Sequence, residues 1–196
     1  MKRCLLGLAV ALSCWGCSRA PRWPDRVLIS SEPVQTSCEA RSWKHGNYLL
    51  KALARFDVQG RVLLTESFSS GGEAELSPKD LSLGWGKMSQ NGYLSQIRLA
   101  HIDRYYQWEI TGEVPEPETV KNQSANMHFI PADANVAQIL KSVRVGDLVR
   151  AQGFLVEVNA SDGWSWVSST TRTDSGTGAC ELIYVEKLEV MLSPPG

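Results

Sequence analysis

Histidine, the acids and cysteine are the residue types through which this chain could transfer protons, hold a metal or attack a substrate. It carries three histidines, His45, His101 and His128. No HxH, HxxE or HExxH spacing joins them, so no metal centre is expected. His128 is the best placed of the three. In Asn126-Met127-His128-Phe129-Ile130-Pro131-Ala132, strand alternation sets Met127 and Phe129 on one face and Asn126, His128 and Ile130 on the other. Held there, His128 is either a hydrogen-bonded structural residue or a general base or ligand contact. His45 lies in the polar turn Lys44-His45-Gly46-Asn47, and His101 stands just before Asp103-Arg104 at a charged edge.

Two further stretches carry candidate chemistry. Residues 168–181, SSTTRTDSGTGACE, read as a polar loop leading into a last strand. Within it Arg172 and Asp174 either hold an anion or a sugar or simply brace a turn, and Glu181 beside Cys180 is a candidate buried acid. No GxSxG elbow and no phosphate-cradling loop accompanies them, so no nucleophile motif or cofactor is expected. Residues 77–86, SPKDLSLGWG, open like a helix, with Ser77 at the N-cap, Pro78 at the first position and Asp80 at the third. Gly84 and Gly86 limit that helix to about one turn. Trp85 between them either plugs the core or is presented to a ligand.

The elements that must position these groups are mostly strands. Residues 126–158 read as a short strand, a helix and a long bent strand. Asp133 is the expected helix N-cap; Val136, Ile139, Leu140 and Val143 fall on one helical face, giving a helix over about 135–142. Gly153 marks a bulge or bend in the strand that follows. Elsewhere, residues 26–29 are a candidate first strand, and Leu50, Ala52, Ala54, Phe56 and Val58 alternate as a half-buried one. Gln59-Gly60 reads as a hairpin turn, with 61–68 returning. Strands are also expected over 96–101 and 104–110, an exposed loop over 113–123, and a last strand over 181–190. Together these predict a mainly β domain, a barrel or distorted sandwich with one short helix. Residues 146–156 resemble strands of OB-folds, in which a glycine lets a long strand curl between sheets. An α+β sheet with the helix on one face is the alternative.

Composition bounds the rest. The chain has 196 residues, 43% hydrophobic, with a formal net charge of −1. One globular domain is expected over 26–192, with a tail at 193–196. A near-neutral balance argues against a nucleic-acid partner. The seven tryptophans suit a β core or a sugar- or peptide-binding groove.

Residues 1–17 form a targeting segment, with Lys2 and Arg3 ahead of the apolar run LLGLAVAL. It ends in Ala11-Leu12-Ser13-Cys14 and Trp15-Gly16-Cys17, and in this it resembles bacterial lipoprotein precursors. The resemblance implies a lipid on Cys14 or Cys17, a membrane anchor, and a tether over 18–25. Ordinary secretion is the alternative. After export Cys38 and Cys180 remain, and an oxidising compartment would pair them as a disulfide worth roughly 4–5 kcal/mol in the chain-entropy picture; a nucleophilic Cys180 is the alternative. The SPxDLxLGWG, NxHxIPA and RxDxGxGACE stretches also resemble those of exported bacterial proteins with no assigned activity, across about 63–185, which implies one fold and no roles. The expected function is therefore an envelope-anchored or secreted, non-catalytic binding or structural module for a protein, peptide or glycan. The alternative is a hydrolase or transferase acting on cell-envelope material through His128 and an acidic partner.

Overall fold

The computed structural model describes residues 23–171 and 179–194. In chain order the strands are β1 (Val34–Thr36), β2 (Ser42–His45), β3 (Tyr48–Ser67), β4 (Lys79–Gly84), β5 (Ile97–Ile102), β6 (Tyr105–Ile110), β7 (Ser124–Pro131), β8 (Leu148–Ala160), β9 (Ser165–Val167) and β10 (Glu181–Leu192). The α-helices are α1 (Gly72–Leu76), α2 (Asn91–Leu94), α3 (Pro117–Asn122) and α4 (Ala134–Ser142). The protein is mainly β, as its alternation predicts.

Five strands close a ring. β3 pairs antiparallel with β4, β4 antiparallel with β7, β7 parallel with β10, and β10 antiparallel with β8. β8 returns antiparallel to β3, from Tyr48↔Ala160 to Arg61↔Leu148, and shuts the barrel. With α4 between the third and fourth barrel strands, this is the connectivity of an OB-type barrel. Ala54, Phe56, Val58, Leu81, Leu83, Met127, Phe129, Leu155 and Ile183 fill its interior, and Val136 and Leu140 of α4 join that cluster. The helix begins where expected: Asp133 Oδ1 accepts the Val136 N–H at 2.8 Å, a cap worth about 1 kcal/mol.

The hairpin expected at Gln59-Gly60 does not form. β3 runs unbroken for 20 residues, its first part paired to β8 and its last to β4. Gly60 stays outside the left-handed backbone region and serves close packing: a Cβ there would lie 2.8 Å from the Leu83 Cβ. A glycine that admits curl across a barrel looks, in sequence, like one that reverses the chain. Gly153 has the role anticipated for it, since a Cβ would overlap the Tyr184 carbonyl oxygen of β10, beside a register shift between Val185 and Lys187.

Four other expectations change. The helix expected from Ser77 is strand β4, with α1 lying just before it; Asp80, Ser82 and the apolar Leu81 and Leu83 pair into the barrel, and that outweighs a local capping signature. Residues 26–29 are an irregular connector with bends at Arg26 and Leu28, the Leu28 and Ile29 N–H groups donating to Ser89 Oγ at 3.0 and 3.2 Å. The loop expected over 113–123 contains α3, started by Pro117 in the first turn and anchored by the buried Val120. The expected Cys38–Cys180 disulfide is not made. Cys38 packs against the cluster of Leu50, Phe154 and Leu182, whereas Cys180 Sγ lies 3.9 Å from Asn126 Nδ2.

Candidate functional site

At one end of the barrel the β3–β4 connection, with α1, faces the β8–β10 connection, with β9. Between β4 and β7 the chain inserts β5 and β6, a hairpin that pairs only with itself. It turns at Asp103, whose φ is 54°, and presents Arg104 at its tip. Two adjoining cavities of about 460 Å³ each open between these three elements. One is lined by Tyr48, Phe68, Gly71, Asp162 and Trp164. The other is lined by Asp103, Tyr105, His128, Trp166 and Cys180, and Glu73 and Arg104 border both.

Arg104 is the hub. Its Nη1 donates to Asp80 Oδ1 at 2.8 Å and its Nη2 to the Ser77 carbonyl at 3.0 Å, while Nε lies 3.1 Å from Glu73 Oε2. Its guanidinium carbon sits 3.8 Å over the Phe68 ring and 5.5 Å from that of Trp166. Planar, delocalised and weakly hydrated, a guanidinium suits this sandwich of aromatic faces and carboxylates; each such stacking contributes about 0.5–2 kcal/mol, more as water is excluded.

His128 stands behind the hub. Its Nδ1 lies 2.8 Å from Asp80 Oδ2, and both side chains are at most 5% exposed. Neither atom attains hydrogen-bond geometry, and packing holds the two side chains against each other. The His128 ring lies 4.8 Å from that of Trp166. Trp166 and Trp164, two apart along the chain and 6.2 Å between ring centroids, continue the aromatic lining to Tyr48, 6.1 Å from Trp164. The Tyr48 phenol donates to Glu75 Oε2 at 3.1 Å; burial, with Glu75 second, raises its pKa above the ordinary 10.0.

A second polar layer fastens the hairpin to the outer face of β4 and β7. His101 Nε2 lies 2.7 Å from Ser82 Oγ and 3.0 Å from Asn126 Oδ1, and Asn126 Nδ2 donates to the Arg104 carbonyl at 3.2 Å. Tyr106 donates to Ser124 Oγ at 3.2 Å, and burial pushes its phenol up to about 12.

The candidates drawn from the sequence scatter. His128 is in the cleft wall, on the strand face it is expected to share with Asn126. Trp85 is 1% exposed and packed in the barrel core, a plug. Glu181 is buried and in register with Met127, the β7 residue that points into the barrel, so it lies on the face opposite His128. Arg172, Asp174, Cys14 and Cys17 lie outside the described residues. Sequence reasoning missed Asp80, read there as a helix position, and Arg104, read as a charged edge. It also missed Phe68, Glu73, Trp164 and Trp166. The Trp-Ser-Trp spacing of residues 164–166 was the available signal, since it places two rings on one strand face.

Among the described residues no group of three His, Cys, Asp or Glu side chains is placed to hold a metal, and no helix is long and apolar enough to cross a membrane. No family model, curated protein or solved structure matches this chain.

Proposed function

We propose that the protein is an exported, non-catalytic binding module of the bacterial cell envelope, tethered by a lipid on Cys14 or Cys17 or released to the periplasm. Its ligand lies in the cleft between α1, the β5–β6 hairpin and β9. The observation that carries this reading is the aromatic lining: Phe68, Tyr48, Trp164 and Trp166 surround a polar centre at one end of an OB-type barrel. In that architecture the equivalent loops bind extended polymers, and concave sites with apolar walls and a few fixed polar groups are the usual ligand sites. Glu73, Asp80, Asp103 and Asp162 outnumber Arg104 among the described residues at the cleft, an electrostatic balance that repels a phosphate backbone and supports a peptide or glycan over nucleic acid. The test is titration with peptide and envelope-glycan fragments, read by tryptophan fluorescence. Trp164→Ala and Trp166→Ala should each weaken binding at least tenfold, the size of a central aromatic contact of about 1.4 kcal/mol or more. Unchanged affinity in both variants would remove the cleft as the site.

A second reading has one specific observation in its favour. Asp80 lies against His128 Nδ1, and a carboxylate in that position can orient a histidine as a general base. The module would then be a hydrolase or transferase acting on envelope material, with His128 in the cleft wall as its base.

A further inference from the structure

The cleft already holds a ligand-like group of its own. Arg104 enters from a hairpin that has no backbone ladder to the barrel, and its guanidinium rests on Phe68, beside Trp166, between Glu73 and Asp80. Aromatic faces with flanking carboxylates are the chemistry that recognises a guanidinium or ammonium group. Asp103 and Asp162 add negative charge at the rim of the two cavities. We propose that this cage recognises an arginine side chain of a partner peptide, that Arg104 is its resident competitor, and that binding displaces the hairpin tip. The inference rests on the cleft being the ligand site and names the chemistry of the partner.

Several features make Arg104 suited to such exchange. It is carried by a two-stranded hairpin held to the barrel by side chains, among them His101, Tyr106 and the Asn126 amide that grips the Arg104 carbonyl. Its departure costs no strand of the barrel ladder. The Glu73 and Asp80 carboxylates it would leave repel each other and draw in the next cation of the same shape. An incoming arginine reproduces both stacking and ion pairing, which a neutral sugar does not.

The experiment compares an Ala-Arg-Ala peptide, capped at both ends, with its citrulline counterpart, which keeps the shape and loses the charge. Binding is read by tryptophan fluorescence to wild-type protein and to Arg104→Ala, whose fold is checked by near-ultraviolet circular dichroism. Vacating the cage should tighten the arginine peptide at least tenfold over wild type and leave the citrulline peptide weak. Wild-type protein supplies an independent reading: saturating arginine peptide should reduce amide hydrogen-exchange protection across residues 97–110, with the barrel strands unchanged. Equal binding of the citrulline peptide, or no gain in Arg104→Ala with hairpin protection unaltered in wild type, overturns the proposal. If a neutral N-acetylglucosamine oligomer binds in the cleft and the arginine peptide does not, the partner chemistry is wrong while the binding module stands. If neither perturbs Trp164 or Trp166, both fall.

Discussion

At the scale of single residues, the site is made of partners far apart in the chain. Alternation alone placed His128 on a face with Asn126, because period two is a property of any strand. It could not supply Asp80, which sits 2.8 Å away but belongs to a stretch whose Ser-Pro-Lys-Asp order mimics a helix start. Nor could it supply Arg104, whose surroundings exist only once the inserted hairpin folds over β4 and β7. The two readings of His128 separate in one variant. In a binding module His128 is a buried spacer between Asp80 and Trp166, and glutamine keeps much of its bulk but not its ring. His128→Gln should then lower the stability by about 1–3 kcal/mol, the range for disturbing a buried polar partner, with ligand affinity per folded molecule preserved. Chemical denaturation and fluorescence titration measure the two quantities. Near-native stability with turnover of an envelope substrate abolished would instead establish the general-base reading.

At the scale of elements, the apolar pattern was legible wherever both neighbours agreed with it. Leu50, Ala52, Ala54, Phe56 and Val58 are all buried as their alternation requires, and α4 begins at its Asp133 cap. The misreadings came where glycine and proline carry two meanings. Gly60 curls a strand that was read as reversing, and Pro117 opens a helix in a stretch read as loop. Gly153 is the sharper case. The β8 and β10 backbones approach so closely there that even a methyl group meets the Tyr184 carbonyl oxygen, and backbone cannot step aside as a side chain can. Gly153→Ala should therefore destabilise the protein by about 1–3 kcal/mol, while Gly46→Ala, whose Cβ would meet nothing within 4 Å, should lose only what its left-handed φ of 58° costs, of order 1 kcal/mol. Urea midpoints compare them, and an equal or smaller loss at Gly153 would show that the β8–β10 seam gives way easily.

At the scale of the whole molecule, the barrel is closed by one seam, the pairing of β3 with β8. It unites residues about a hundred positions apart, so no local pattern announces it. On its outer face Asp57 accepts from Arg150 Nε at 3.0 Å and Nη2 at 2.6 Å, and from Gln152 Nε2 at 2.8 Å. The Arg150 hydrogen bonds, foremost, hold the Asp57 carboxyl below its ordinary 3.8, against a smaller opposing effect of burial. The sign of the linkage follows. Because the folded state binds this proton less readily than the unfolded chain, the seam gains stability that is fully present above 3.8 and disappears as pH falls through the depressed folded value. Both side chains are partly solvated, at 30% and 37% exposure, so screening keeps the contribution small. Asp57→Asn removes the titration while retaining a hydrogen-bonding side chain. The variant should be less stable than wild type at neutral pH, and the difference should shrink steadily between about pH 5 and pH 2, as followed by the denaturant midpoint at each pH. A difference that stays constant over that range, or widens in acid, would mean that Asp57 does not secure the seam by its charge.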